Sequence, residues 1–195
     1  MPKSDFTALP YGKKSDPCHA WVSMTATSSL LRCTWAANDP LMCDYHDTEW
    51  GTPLHDDRAL FEFLCLEGAQ AGLSWRTVLA KRDNYRKLFH NFEIARVAAM
   101  TDRELERRLL DPGIIRNRLK VSSVRSNAIA ALDVAREFGS LDAFLWSFVN
   151  GRSLRNRWHE PSDVPASTEL SDRMSKALKK RGFRFVGTTI CYSLM

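Results

Sequence analysis

Apolar side chains recur every three to four residues over most of the chain, which is the spacing of one face of an α-helix. A first helix is expected from Asp57 towards Glu67, capped by Asp56 or Asp57, and a second helix ends near His90. The same spacing predicts further helices over residues 97–100, 102–110 with Thr101 as N-cap, 121–138, 141–150, and 170–181 with Ser171 as N-cap and Gly182 as the stop signal. The short segment 183–186 is a candidate strand. We therefore expect an all-α fold.

The patterning is uneven along the chain. Residues 1–30 contain Pro, Ser, Thr, Gly and Lys and show no sustained periodicity, so we expect a disordered N-terminal extension there. Dense apolar patterning begins at Arg32, and residues 31–195 are long enough for one domain with a substantial core. The stretch from Gly151 to Thr168 holds two prolines and many polar residues, which predicts an exposed loop.

Composition narrows the class of protein. The net charge of +5 and the pI of about 9.1 favour an anionic partner, of which nucleic acid is the commonest for a basic domain. The five cysteines are odd in number and lack paired C-x-x-C spacing, which argues against a disulfide framework. No apolar run is long enough to cross a membrane. These features predict a cytoplasmic protein with reduced thiols.

Three segments contain residues that could carry chemistry. Glu67 follows an apolar helical turn and precedes a Gly-rich run that ends at Trp75, although taken alone it fits a solvated helix residue better than a functional acid. Cys33 and His46 are suitable zinc ligands, but two ligands do not make a site, and taken alone the pair fits a core cysteine and a hydrogen-bonded histidine better. The third segment is a predicted helical hairpin.

The predicted hairpin runs from Leu109 to Lys120, with a tight turn at Pro112-Gly113. Its second helix opens with free backbone N–H groups close to Arg116, Arg118 and Lys120. That arrangement can hold a DNA phosphate without reading sequence. A solvated basic helix is an equally good explanation of the charges.

Several long strings of residues occur in order and together resemble one family. They are Cys-x-Trp from Cys33, Tyr-His-x-x-Glu-Trp-Gly from Tyr45, Cys-Leu-Glu-Gly-x-Gln-Ala-Gly-Leu-Ser-Trp from Cys65, Phe-Leu-Trp-Ser-Phe-Val-Asn from Phe144, and the run from Ser175 to Ser193. The chain resembles the constitutive bacterial 3-methyladenine DNA glycosylase I family from about Arg32 to its end. The resemblance implies an all-helical fold of the helix-hairpin-helix glycosylase superfamily, with the hairpin at Leu109 to Lys120.

The resemblance also implies roles for individual residues. Glu67 matches the family's pocket carboxylate, and the other implied base-binding residues are Tyr45, Trp50, Trp75 and Ser193. Gly72 and Leu73 match the loop that fills the gap left in the duplex by the extruded base. The implied DNA-binding residues are Gly72, Leu73, Gly113, Arg116 and Lys120.

The implied activity is hydrolysis of the bond between 3-methyladenine and deoxyribose in alkylated double-stranded DNA, which leaves an abasic site. Water is the expected nucleophile of a monomeric, monofunctional enzyme without lyase activity, because the Glu67 segment contains no lysine that could form a Schiff base. The alternatives are a catalytically weak or inactive DNA-binding relative and, more remotely, a helical interaction domain whose charge is incidental.

Two departures from the family pattern bear on these expectations. The family joins an N-terminal Cys and His, matched by Cys33 and His46, to a His and Cys beyond the segment matched by Tyr192-Ser193, whereas this chain ends at Met195. Half of a structural Zn²⁺ site is therefore expected, with activity weakened if the missing tail matters. Met42 stands where relatives often carry an aromatic residue, which is expected to soften base stacking.

Overall fold

The computed structural model describes residues 32–195, and this part of the chain is helical, without a β-strand. The expected N-terminal extension, residues 1–30, lies outside the described residues. Two short 3₁₀ turns occupy His90–Phe92 and Pro161–Asp163. The α-helices are α1 Pro40–Thr48, α2 Asp57–Gln70, α3 Trp75–Leu79, α4 Arg82–Leu88, α5 Ile94–Ala98, α6 Asp102–Arg108, α7 Arg118–Phe138, α8 Leu141–Ser147, α9 Glu169–Lys180 and α10 Thr188–Leu194. The all-α prediction is confirmed.

Helix α2 is the centre of the molecule. It packs against α3, α7, α8 and α10, while α7 also packs against α5 and α8. Most of the side chains of α2 are buried, and Phe61 and Leu66 are fully enclosed. A helix that is covered on nearly all sides holds its side chains rigidly. Any group near its C-terminal end is therefore held in a fixed position.

The helix ends follow the chain's local signals. Thr101 caps α6 in a reciprocal capping box with Glu104, as predicted. The N-cap of α9 is Thr168, so the prediction of Ser171 was wrong by one turn. The Ser171 hydroxyl bonds back to the Thr168 N–H, which makes it the second member of that capping box. Gly182 ends α9 with φ +88°, as expected of a glycine stop.

The sequence pattern missed α1 and α10. Helix α1 begins with Asp39 as N-cap and Pro40 at its first position, but Met42 is its one buried residue, so no apolar face is visible in the sequence. The candidate strand at 183–186 is instead irregular chain. The Asn127 side chain in α7 fixes it by accepting from Arg184 N–H at 2.8 Å and donating to Arg184 C=O at 3.1 Å.

Within residues 32–195, no helix combines the length and the apolar character that spanning a membrane would require.

Candidate active site

Glu67 lies in the last turn of α2 and is only 6% exposed. Within the described part of the chain, no hydrogen bond or ion pair reaches its carboxyl group. Burial raises the pKa of Glu67 to about 7, because loss of water disfavours the charged form. A buried carboxyl group without a partner is costly to the fold and is therefore a candidate binding group.

An aromatic cluster lies beside this carboxyl group. The ring centroids of Tyr45 and Trp75 are 5.4 Å apart, and Phe63 stacks on Trp75 at 6.5 Å. Burial raises the pKa of Tyr45, and the negative charge of Glu67 raises it further, as expected if the two groups lie close together. The structure thus brings together Glu67, Tyr45 and Trp75, which the sequence singled out.

The cluster continues outward to the protein surface. Trp50 stacks on His46 at 5.3 Å and meets Trp35 edge-on at 5.4 Å, and both indoles are about 40% exposed. Trp35 in turn contacts Tyr45 at 6.4 Å. Trp50 therefore belongs to the exposed rim of the cluster and not to its buried part.

Two members of the cluster, Trp35 and Phe63, were not among the predicted site residues. A signal existed for Phe63, which precedes Glu67 by four residues and so shares its helix face. Trp35 stood in the Cys-x-Trp string, but only its contacts identify it as part of the cluster. The underside of the cluster is apolar, because Met42 packs with Ala36 and Leu79 beneath Tyr45 and Trp75.

Trp75 directs its indole N–H toward the side chain of Tyr45. Its indole Nε1 is buried and makes no hydrogen bond of normal geometry within the described residues. A buried N–H normally finds an acceptor, because leaving it unpaired costs about 1–3 kcal/mol. The Trp75 N–H and the Tyr45 side chain therefore form a polar point in the otherwise apolar cluster.

A buried ion network supports the cluster from behind. Glu62, which is 1% exposed, accepts from Arg82 at 2.5 Å and from Arg86 at 2.8 Å. Arg82 also pairs with Glu49, just after α1, at 2.7 Å, and its guanidinium lies 5.0 Å from the centre of the Phe63 ring. One arginine thus connects the helix that carries Tyr45 to the helix that carries Glu67. A cavity of about 360 Å³ lies between α1 and α4 next to this network, with Tyr45 on its wall.

The turn after α2 presents an apolar side chain to solvent. Gly72 has φ +79°, a left-handed conformation that favours glycine, and Leu73 is 38% exposed. Gln70 closes the turn, because its side-chain Nε2 donates to Leu73 C=O and its backbone C=O accepts from Leu73 N–H, both at 2.6 Å. The predicted extrusion loop is therefore a tight turn with a projecting leucine.

The predicted hairpin is formed by α6 and α7, but residues 109–117 between them make a longer connection than the tight turn expected at Pro112-Gly113. This connection rests on α4. The Asp111 carboxylate accepts from Gly113 N–H at 2.7 Å and from the Asn84 amide at 2.9 Å. A Cβ at position 113 would lie 2.1 Å from the Asn84 nitrogen, so the turn requires glycine. Lys81 Nζ donates to Pro112 C=O at 2.7 Å. These contacts hold the start of α7 in place.

The three basic residues of the hairpin differ in environment. Arg116 is exposed and forms no ion pair within the described residues, whereas Arg118 pairs with Glu106. Lys120 Nζ donates to Ala69 C=O at 2.9 Å and to Ala71 C=O at 2.6 Å, at the end of α2. Arg116 is thus the one whose charge is directed only to solvent.

Two further predicted groups are Ser193 and the pair of Cys33 and His46, of which His46 stacks on Trp50. Ser193 is exposed on α10, which packs against α2, and its side chain makes no hydrogen bond within the described part. Cys33 and His46 are adjacent, since Cys33 N–H donates to His46 Nε2 at 3.4 Å. Across residues 32–195, no three His, Cys, Asp or Glu side chains are grouped to hold a metal ion. Two ligands alone do not fit a structural zinc ion.

These features define a class of protein: a helical domain with a buried acid beside an aromatic cluster, a tight turn with an exposed leucine and a hairpin that carries basic residues. A family model described as methyladenine glycosylase matches residues 35–195. The DNA-3-methyladenine glycosylase 1 of Escherichia coli (strain K12) is 52% identical over 166 residues, which cover 85% of this chain and 89% of the relative.

Solved structures agree with the sequence match. A crystal structure of 3-methyladenine DNA glycosylase I superposes with a TM-score of 0.82 at 53% identity and covers 84% of this chain and 90% of the other. A structure of the Staphylococcus aureus 3-methyladenine DNA glycosylase I, described as giving the basis of 3-methyladenine recognition, superposes at 0.81 with 37% identity, covering 84% and 87%. The chain belongs to the methyladenine glycosylase family.

Proposed function

We propose that this protein is a DNA-3-methyladenine glycosylase that hydrolyses the N-glycosidic bond of 3-methyladenine in alkylated double-stranded DNA and leaves an abasic site. The observation that carries the proposal is the buried, unpartnered carboxyl group of Glu67 close to Tyr45, whose ring contacts Trp75. Family membership supports the same reaction.

The pocket that we propose at Glu67, Tyr45 and Trp75 suits a cationic base. Methylation at N3 places positive charge on adenine, and aromatic faces attract such a cation by about 0.5–2 kcal/mol. Glu67, with its pKa of about 7, is roughly half ionised at neutral pH, and a cation beside it favours the ionised form. Ordinary adenine carries no charge and gains none of this attraction. Selectivity therefore follows from the charge of the damaged base.

The same charge makes the bond easy to break. Hydrolysis releases neutral 3-methyladenine, which is a good leaving group, so little acid catalysis is required. Water is the nucleophile, because residues 57–75 contain no lysine that could form a Schiff base. The negative charge of Glu67 favours both the bound cationic base and the positive sugar that develops in the transition state.

The Leu73 turn and the hairpin hold the DNA while the damaged base is outside the duplex. The exposed side chain of Leu73 fills the space that the extruded nucleotide leaves in the duplex. The backbone N–H groups at the start of α7, together with Arg116, hold a phosphate without reading sequence. The chain acts as a monomer, in which one copy supplies the pocket, the turn and the hairpin.

The test is release of free 3-methyladenine from methylated duplex DNA by the wild-type chain, Glu67→Gln and Glu137→Gln. Glu137 is an exposed residue of α7, so its variant makes the same charge change away from the pocket. We expect release by the wild type and the control and a loss on the order of a hundredfold in Glu67→Gln. A folded wild-type chain that binds DNA but releases no base would instead identify an inactive DNA-binding relative.

A further inference from the structure

Lys120 is fixed at both its backbone and its side chain. It is the third residue of α7, the second helix of the hairpin. Its backbone N–H donates to the Asn117 side chain that caps this helix. From that position its side chain reaches the C-terminal end of α2. The two carbonyls that it contacts, Ala69 and Ala71, accept at 2.9 and 2.6 Å.

These contacts complete the end of α2. The last carbonyls of a helix lack partners within the helix and carry the negative end of its dipole. Here Gln70 C=O accepts from Leu73 N–H, and Lys120 satisfies the carbonyls on either side of it. Three consecutive carbonyls are thus used, two of them by one ammonium group.

The Ala71 carbonyl that Lys120 contacts lies between two residues with proposed functions. Ala71 is four residues after Glu67 and directly precedes the Gly72-Leu73 turn. A single side chain therefore connects the start of the hairpin helix to the segment between the pocket acid and the extruding leucine.

The surroundings of Lys120 favour an internal role over a phosphate contact. Its side chain is half-buried, and burial lowers its pKa. No carboxylate of the described residues pairs with it. Two of its three N–H donors are already directed at carbonyls within the protein, unlike the exposed guanidinium of Arg116.

We propose that Lys120 is a positioning residue that fixes the Leu73 turn and the C-terminal end of α2 to helix α7. The hairpin that contacts the DNA backbone and the leucine that enters the duplex then keep a constant relative position. This inference rests on the proposed function. It replaces the sequence-based expectation that Lys120 binds a DNA phosphate.

The experiment compares Lys120→Met, Lys120→Arg and Arg116→Met in the full chain. Three quantities are measured: the salt dependence of affinity for undamaged duplex DNA, the single-turnover rate of 3-methyladenine release at saturating enzyme, and amide hydrogen exchange of the peptide that contains residues 70–76. Loss of one phosphate contact lowers the log–log salt slope by about 0.9.

For Lys120→Met we expect an unchanged salt slope, a release rate lowered on the order of tenfold, and faster exchange in the turn. Lys120→Arg keeps charge and donors, so it should recover part of the rate and of the exchange protection. Arg116→Met, the positive control for the slope, should lower it by about 0.9.

A slope lowered by about 0.9 in Lys120→Met, or unchanged exchange in its turn, would overturn the proposal. If the wild type releases no base, the proposed function fails on its own. The exchange and slope measurements still decide the role of Lys120 in that case, because neither depends on turnover.

Discussion

Phe185 presses directly on Gly68, the residue that follows Glu67 in α2. A Cβ at position 68 would lie 3.1 Å from the Phe185 Cβ and 3.3 Å from its carbonyl oxygen. Phe185 itself has φ +56°, an uncommon conformation for a bulky side chain. The irregular chain before α10 is thus seated against α2 at a point where any Cβ would have to displace its neighbour by a few tenths of an ångström.

Gly68→Ala should therefore destabilise the protein despite its better helix propensity. The gain in propensity is about 1 kcal/mol, whereas overpacking costs about 1–3 kcal/mol. We expect a net loss of about 1 kcal/mol in the free energy of unfolding, measured in urea. Phe185→Gly removes the opposing Cβ and relieves the left-handed backbone. The cost of Gly68→Ala should be smaller in that background, and an equal cost in both backgrounds would show that the contact is unimportant.

The pocket acid predicts the pH profile of excision. With the pKa of Glu67 at about 7, kcat/KM should fall as the pH drops from 8 to 6, because the carboxylate that attracts the cationic base becomes neutral. Glu67→Gln should lose this dependence, while Glu137→Gln keeps it. A wild-type profile that stays flat across this range would remove ionised Glu67 from the mechanism.

The raised pKa of Glu67 predicts that Glu67→Gln is more stable than the wild type at high pH. The folded-state pKa of about 7 lies above the ordinary value of 4.5, so the folded state binds more protons between these values and loses stability as the pH rises through 7. Glu67→Gln removes this loss. Relative to the wild type, the variant should gain up to about 3 kcal/mol at pH 8.5 and little at pH 4.5, as measured by urea denaturation at each pH. A difference that is independent of pH would contradict the raised pKa.

Gly113→Ala tests the hairpin. The new Cβ would displace the Asn84 amide from Asp111 and shift the turn that begins α7. Affinity for undamaged duplex DNA should fall several-fold, with about 1 kcal/mol lost in stability. The double variant Asn84→Ala/Gly113→Ala removes the clash with Asn84, although not the close approach to the Asp111 carboxylate, and should recover part of the affinity. Equal affinities of wild type and Gly113→Ala would argue against DNA contact at this turn.

Arg82→Met tests the ion network behind the aromatic cluster. Its loss leaves Glu49 unpaired and weakens the pairing of the buried Glu62, which is expected to cost about 3 kcal/mol of stability. The matched control is Arg136→Met, because the ion pair of Arg136 with Asp133 is exposed and should contribute less than about 1 kcal/mol. Similar losses in the two variants, measured by chemical denaturation, would mean that burial does not matter here.

The sequence predicted the features that depend on residues close to one another in the chain. Long amphipathic segments identified α2 and α7, and the residue strings identified Glu67, Tyr45 and Trp75 as a group. Short helices with little apolar face, such as α1, leave no periodic signal. The connection of Arg82 to Glu49 spans 33 residues and that of Lys120 to Ala69 spans 51. Contacts of that kind depend on the tertiary fold and have no local signature.

The tryptophans of the aromatic cluster also bear on the intrinsic fluorescence of the protein. Trp35, Trp50 and Trp75 are half of the six tryptophans in the chain, and all three lie within one connected set of rings that includes Tyr45. Half of the tryptophan side chains of the protein therefore belong to this aromatic cluster. A cationic purine that enters this set should quench the emission of these tryptophans, so occupancy of the pocket can be followed by ultraviolet fluorescence without any added label.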